Sequence, residues 1–175
     1  MDTEDKAAWC AHGAEQEIQF VNNSALAGIT AAINPAKTTD KYSHDLLLTI
    51  PADLKSVRTP LFLADDLYGI DPQYAVTFND KDGHRYARLY PNLLIVFDVR
   101  WDITRKELAG RARTVEPMHV THAGFLNDVR RAIVEDGCKS LAYKRRVDDR
   151  AGNAQVSWVF DVRRLARLAP ARSPE

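Results

Sequence analysis

Apolar positions recur at helical spacing early in the chain. Ile18, Val21, Ala25, Ile29 and Ile33 fall on one stripe and predict a helix over residues 14–34, ended by Asn34-Pro35. A short helix over residues 4–12 is expected before it, stopping at Gly13. The period then shortens. Residues 44–50 and 53–57 read as two strands around Pro51-Ala52, expected to pair as a tight hairpin. Residues 74–79 read as a third strand, and Asp80-Lys81-Asp82-Gly83 has turn chemistry, with residues 85–90 expected to pair back. Residues 93–101 form the most apolar stretch and predict a central strand. Phe125, Val129 and Ile133 step by four and predict a helix over residues 122–135, with Thr121 as N-cap and Gly137 beyond its end. Residues 140–147 and 154–161 predict a hairpin, and residues 163–168 a short basic helix. This order predicts an α/β (α+β) chain: a mixed central β-sheet flanked by helices, with a C-terminal β-hairpin.

Length and composition narrow the class. With 175 residues, 45% of them hydrophobic and 27% charged, the chain suits a single globular domain with a sizeable core. Apolar runs fall short of the roughly 20 residues of a membrane span, so no membrane partner is expected. The acidic start, Met1-Asp2-Thr3-Glu4-Asp5, lacks the apolar region of a signal peptide. Two cysteines are too few for a disulfide framework or a cysteine zinc site, and a cytoplasmic setting is expected. There is no Walker loop, Gly-x-Gly-x-x-Gly or Gly-x-Ser-x-Gly pattern, which argues against nucleotide cofactors and serine-hydrolase chemistry.

The formal net charge is +0, which speaks against attachment to nucleic acid by bulk charge. The distribution changes that picture. Residues 1–66 carry five basic and ten acidic side chains, and residues 130–168 carry ten basic and five acidic. An acidic front can hold a metal ion, while a basic back can meet phosphate.

The chemistry concentrates at Asp45 and at Asp53-Leu54-Lys55, with Glu17 on the preceding helix. Side chains alternate along a strand, so Asp53 and Lys55 share a face. With Asp45 across the expected hairpin, two carboxylates and one ammonium meet at one sheet end, and Glu17 can add a third carboxylate. Hard oxygen ligands suit Mg²⁺. A bound metal stabilises phosphate charge and activates water, and a neighbouring lysine can orient or help deprotonate that water. Asp40 competes with Asp45 for the first position. Glu15 competes with Glu17, although it lies about 200° away round a helix, so only one of them can face the sheet. The plain alternative is a same-face ion pair of Asp53 with Lys55, worth roughly 0–1 kcal/mol.

In these residues the chain resembles the PD-(D/E)xK superfamily of restriction enzymes, resolvases and repair nucleases. The likeness covers residues 14–101 and leaves 102–175 as a C-terminal helix and basic hairpin elaboration. It implies a restriction-endonuclease-like core and a DNA nuclease, with RNA not excluded. It also implies Mg²⁺ or Mn²⁺ held by Asp45, Asp53, the Leu54 carbonyl and Glu17, with Lys55 as the catalytic lysine. Here His44 stands where the family has proline, and Asp53 is the shorter of the two permitted acids. Cutting both strands usually takes two active sites, which points to a homodimer.

Lys37 and Lys41 precede the motif and are candidates for phosphate contact, as are Lys144, Arg145, Arg146, Arg163 and Arg164 in the basic back. Trp158 and Phe160 beside them are expected in the core rather than on bases. The histidines lack a zinc-binding spacing and are read as surface or capping residues. The alternative function is an inactive descendant of the same fold, acting as a nucleic-acid-binding module or as a protein-interaction module such as a phage or mobile-element inhibitor.

Overall fold

The computed structural model describes residues 6–40, 42–108, 110–142 and 156–169. The chain forms two compact units, residues 1–51 and 52–175, and the boundary at Pro51 falls inside the stretch that the family resemblance covers.

The first unit opens with helix α1 (Lys6–Asn23). A short 3₁₀ turn (Ser24–Ala27) follows, and Gly28 closes it in the left-handed region at φ 69°. Strand β1 (Thr30–Ile33) pairs antiparallel with β2 (Leu46–Thr49), Thr30 opposite Thr49 and Ile33 opposite Leu46. The buried Asn34 fixes the chain between them: its side chain donates to the His44 carbonyl (2.8 Å) and accepts from the Ala36 N–H (3.1 Å). Two expectations change here. One helix runs through Gly13 instead of two meeting there. It ends at Asn23 rather than Asn34, because Gly28 takes a conformation that side-chain-bearing residues avoid and Thr30 and Ile33 then pair with β2.

The second unit contains, in chain order, β3 (Ala52–Val57), α2 (Ala64–Tyr68), β4 (Ala75–Asn79), α3 (Asp80–Leu89), β5 (Leu94–Arg100), β6 (Arg105–Leu108), β7 (Arg111–Thr114), β8 (His119–Phe125), α4 (Leu126–Glu135), β9 (Lys139–Ala142), β10 (Val156–Asp161) and β11 (Ala166–Leu168). Its central sheet has the order β11-β8-β5-β3 and is mixed: β3 runs parallel to β5, while β8 is antiparallel to both β5 and β11. A second sheet has the order β4-β10-β9, and β6 with β7 makes a separate two-stranded ribbon. This is the expected mixed sheet with helices beside it; β9 pairs antiparallel with β10 as the expected C-terminal hairpin requires, while residues 143–155 of that hairpin lie outside the described residues.

Four local expectations are corrected. Residues 80–89 form a helix, not a turn and a strand: Asn79 accepts from the Lys81 N–H at 2.9 Å and so caps it. Helix α4 starts at Leu126, five residues beyond the expected cap, because residues 119–125 pair with β5. The Asp128 carboxylate accepts from the Phe125 N–H at 3.0 Å and sets the start. Residues 162–164 form a 3₁₀ turn and 166–168 a strand, in place of a basic helix. The hairpin expected of 44–50 with 53–57 is replaced by pairing of β2 with β1 and of β3 with β5. The near-continuous apolar β5 offers β3 a buried parallel neighbour.

The core of the second unit lies on one face of the central sheet. Ile95, Phe97 and Val99 are fully buried there with Leu126 and Val129 of α4 and with Phe160. Phe97 and Phe160 meet edge to face at 5.5 Å, tying the two sheets together. The register opposes Asp53 to Ile95, Lys55 to Phe97 and Val57 to Val99. Strand β3 is therefore inverted: its charges lie on the core face, and Leu54 points to the other face with 62% of its surface exposed.

The inversion predicts unequal costs along the sheet. Phe97→Ala should destabilise by about 3–5 kcal/mol, whereas Leu54→Ser should stay within about 0.5 kcal/mol. Urea unfolding midpoints of the two variants check this, and equal losses would contradict the inverted strand.

Candidate active site

Lys55 is the centre of the site. Its side chain leaves β3 on the core face and is 23% exposed. The ammonium donates to Asp82 Oδ2 at 2.6 Å and lies 2.9 Å from Asp53 Oδ2. The Phe78 and Tyr86 rings flank it at 5.8 and 5.6 Å from their centroids. Arg85 then donates to the far oxygen of Asp82 at 2.8 Å and to the Tyr86 hydroxyl at 3.1 Å. Two carboxylates and two cations thus alternate from β3 across the first turn of α3.

Burial alone pulls the Lys55 pKa down, because a charged amine loses hydration. The Asp82 and Asp53 carboxylates outweigh it and hold the pKa above its ordinary value. Lys55 is therefore an ammonium at neutral pH. It is suited to orienting an oxygen nucleophile and neutralising charge, and poorly suited to taking a proton.

Asp53 Oδ2 is buried and faces the Lys55 ammonium at 2.9 Å. Such an oxygen retains a lone pair for a cation. Mg²⁺ is commonly held by one or two carboxylates and keeps several waters. Asp53 and Asp82, facing one ammonium, fit that donor requirement. Among the described residues no group of three or more His, Cys, Asp or Glu side chains forms a metal cluster.

Glu17 and Asp45 come together in the first unit, around Lys37. The Lys37 ammonium donates to both Glu17 oxygens at 2.7 and 2.6 Å and pairs with Asp45 at 2.8 Å. Asp45, then Glu17, raise the Lys37 pKa. Lys37, expected to approach phosphate, is engaged by these acids instead. Asp40, the rival of Asp45, accepts from the Tyr42 N–H in its own loop, and Glu15, the rival of Glu17, is exposed.

The basic back is less free than its charge suggests. Arg163 is paired with Asp161 at 2.6 Å and stacks over Tyr74 at 3.9 Å. Arg164 is held by Asp136 at 2.7 Å and Glu135 at 3.0 Å. Both were expected to contact nucleic acid, and both are committed to carboxylates of their own unit. Lys41, Lys144, Arg145 and Arg146 lie outside the described residues. Phe160 is in the core as expected, and the half-buried Trp158 donates its indole N–H to Asp80 at 2.8 Å. His122 is buried against the Leu165 carbonyl, and His119 lies beside Asp98.

Asp82, Arg85 and Tyr86 were not among the sequence candidates. Their signal was an Asn followed by acids at the start of an amphipathic segment, which is also the signature of a turn. The comparisons with known proteins add nothing to the geometry. No family model, curated protein or solved structure matches this chain.

Two results follow from the Lys55 pairing. Lys55→Met leaves two carboxylates facing each other and should destabilise by about 1–2 kcal/mol, less than the loss of a fully buried pair. The folded pKa lies above the unfolded value, so this contribution is present in full below about pH 10.5 and fades as pH rises through the folded pKa. Urea midpoints at pH 8 and pH 11 should show the wild-type advantage shrinking at the higher pH.

Proposed function

We propose that the chain is a metal-dependent nuclease of the PD-(D/E)xK type that hydrolyses phosphodiester bonds in DNA. The observation that carries this reading is the inverted strand. Placing Asp53 and Lys55 on the face that β5 fills with Ile95 and Phe97 breaks the local pattern, and such violations concentrate at functional sites. The parallel β3–β5 pair with α3 between the two strands in sequence also suits the core that the resemblance implies.

In this reading Asp53 and Asp82, both in the second unit, supply the hard oxygen donors. A bound Mg²⁺ or Mn²⁺ supplies Lewis acidity and a more acidic water. Lys55, kept charged by its neighbours, orients the attacking oxygen and balances the charge that develops on the phosphate. Asp82 holds the ammonium in place, and Arg85 fixes Asp82 from its outer side.

A second reading has its own support. Each proposed acid pair already binds a lysine, Glu17 and Asp45 through Lys37, and Asp53 and Asp82 through Lys55. Acids satisfied in this way also suit an inactive descendant that binds nucleic acid or a protein.

Metal titration separates the two. Under the nuclease reading, millimolar Mg²⁺ or Mn²⁺ raises the melting temperature, and Asp53→Asn removes the rise. Purified protein then cuts DNA only with metal, and Lys55→Gln lowers the rate by about 10²–10⁴-fold. Metal-independent melting together with no cleavage would favour the binding module. Asp45→Asn tests the first-unit acids separately, and cleavage unchanged by it would leave Glu17 and Asp45 as partners of Lys37 alone.

A further inference from the structure

The β6–β7 ribbon carries a set of charges that the candidate site does not use. Its register sets Lys106 opposite Arg113 and Leu108 opposite Arg111. Paired residues share a face and alternate ones share it too. One face of the ribbon therefore presents Lys106, Arg111 and Arg113 with Leu108, and the other presents Arg105 and Glu107 with Ala112 and Thr114. Like charges directly opposite on a sheet are unfavourable, so Lys106 facing Arg113 calls for an anion.

Only part of that need is met among the described residues. Arg113 is paired with Asp65 and Asp66 of α2, which anchors the ribbon to the second unit. Lys106 and Arg111 are exposed and meet no carboxylate among the described residues. Arg105 approaches Glu107 only at 3.9 Å. The backbone bond from the Val115 N–H to the Thr104 carbonyl, at 2.9 Å, continues the ribbon beyond its strands. It stands in the connection from β5 to β8, the two central strands of the main sheet, and its strand residues are exposed except Leu108 and Arg113, which are half-buried.

We infer that this ribbon is a docking element for double-stranded DNA, with Lys106 and Arg111 meeting its phosphates. The inference rests on the reading that the chain acts on nucleic acid, and it names the surface that reads duplex form. Strands in a ribbon are about 4.8 Å apart, and the major groove of B-DNA, about 12 Å wide, admits a two-stranded ribbon with its side chains. The deep, narrow major groove of A-form RNA does not. Arg163 and Arg164, bound to their own carboxylates, are poorer candidates for the same role.

The test is fluorescence anisotropy of the full chain with a labelled 20-base-pair DNA duplex in EDTA, across a salt series. The combined variant Lys106→Ala and Arg111→Ala should bind about tenfold more weakly near physiological salt, with the log–log salt slope reduced by about 2. Both residues are exposed, so its melting temperature should match wild type. An RNA duplex of the same sequence should bind more weakly than the DNA. Unchanged affinity and slope in the variant overturn the inference, as does equal binding of the two duplexes or no binding of DNA by wild type. Binding in EDTA needs no catalysis. Intact binding with no cleavage in Mg²⁺ would therefore sink the hydrolytic reading and leave the ribbon standing.

Discussion

The second unit depends on an ammonium placed where a hydrophobic side chain would ordinarily go. Lys55 extends from an outer strand of the sheet onto the face occupied by Phe97 and its neighbours. A charge in that position loses hydration, and water does not replace the loss. Asp82 and Asp53 compensate for it, and the Phe78 and Tyr86 rings lie beside the ammonium. The start of α3 is therefore constrained twice. Asn79 caps its backbone, and Asp82, one turn in, must reach the strand. Trp158 adds a third tie by bonding Asp80 from β10. Sheet, helix and hairpin converge on the first turn of α3 through polar contacts, while the Phe97–Phe160 contact joins the same layers through the core.

Much of this was legible in the chain. The strands at 46–49, 52–57 and 94–100 stand out by apolar content, and the same-face placement of Asp53 and Lys55 follows from strand alternation alone. What was missed has local causes. The segment Asn79 to Gly83 has a composition that serves equally for a helix cap and a turn, and only the packing of Tyr86 into the core decides between them. Residues 119–125 have the spacing of a helix's first turns but are captured by β5, which needs an antiparallel neighbour. Asp82 was missed for the first of these reasons. It lies 27 residues from Lys55, and only the helix brings it back.

The charge pattern needed the structure in a different way. Counting along the chain shows a basic back half but cannot show which cations are already used. Arg163 meets Asp161 two residues away, Arg164 meets Asp136 and Glu135 28 and 29 residues away, and both are neutralised within their own unit. Lys37 is treated likewise by Glu17 and Asp45. Lys106 and Arg111, exposed and meeting no carboxylate among the described residues, lie on a ribbon whose sequence, half charged and weakly periodic, announced little. Free positive charge is a property of neighbours, and composition alone does not contain it.

The inverted strand also bears on how such a chain can drift. Replacing Lys55 strands two acids, and replacing either acid leaves a half-buried ammonium with a single partner. Each single step out of the triad lowers stability, so folding itself keeps the three charges together. A lineage that no longer needed the chemistry would still retain its residues until a compensated change arrived. Leu54, between the two charged positions and open to solvent, is free to vary throughout.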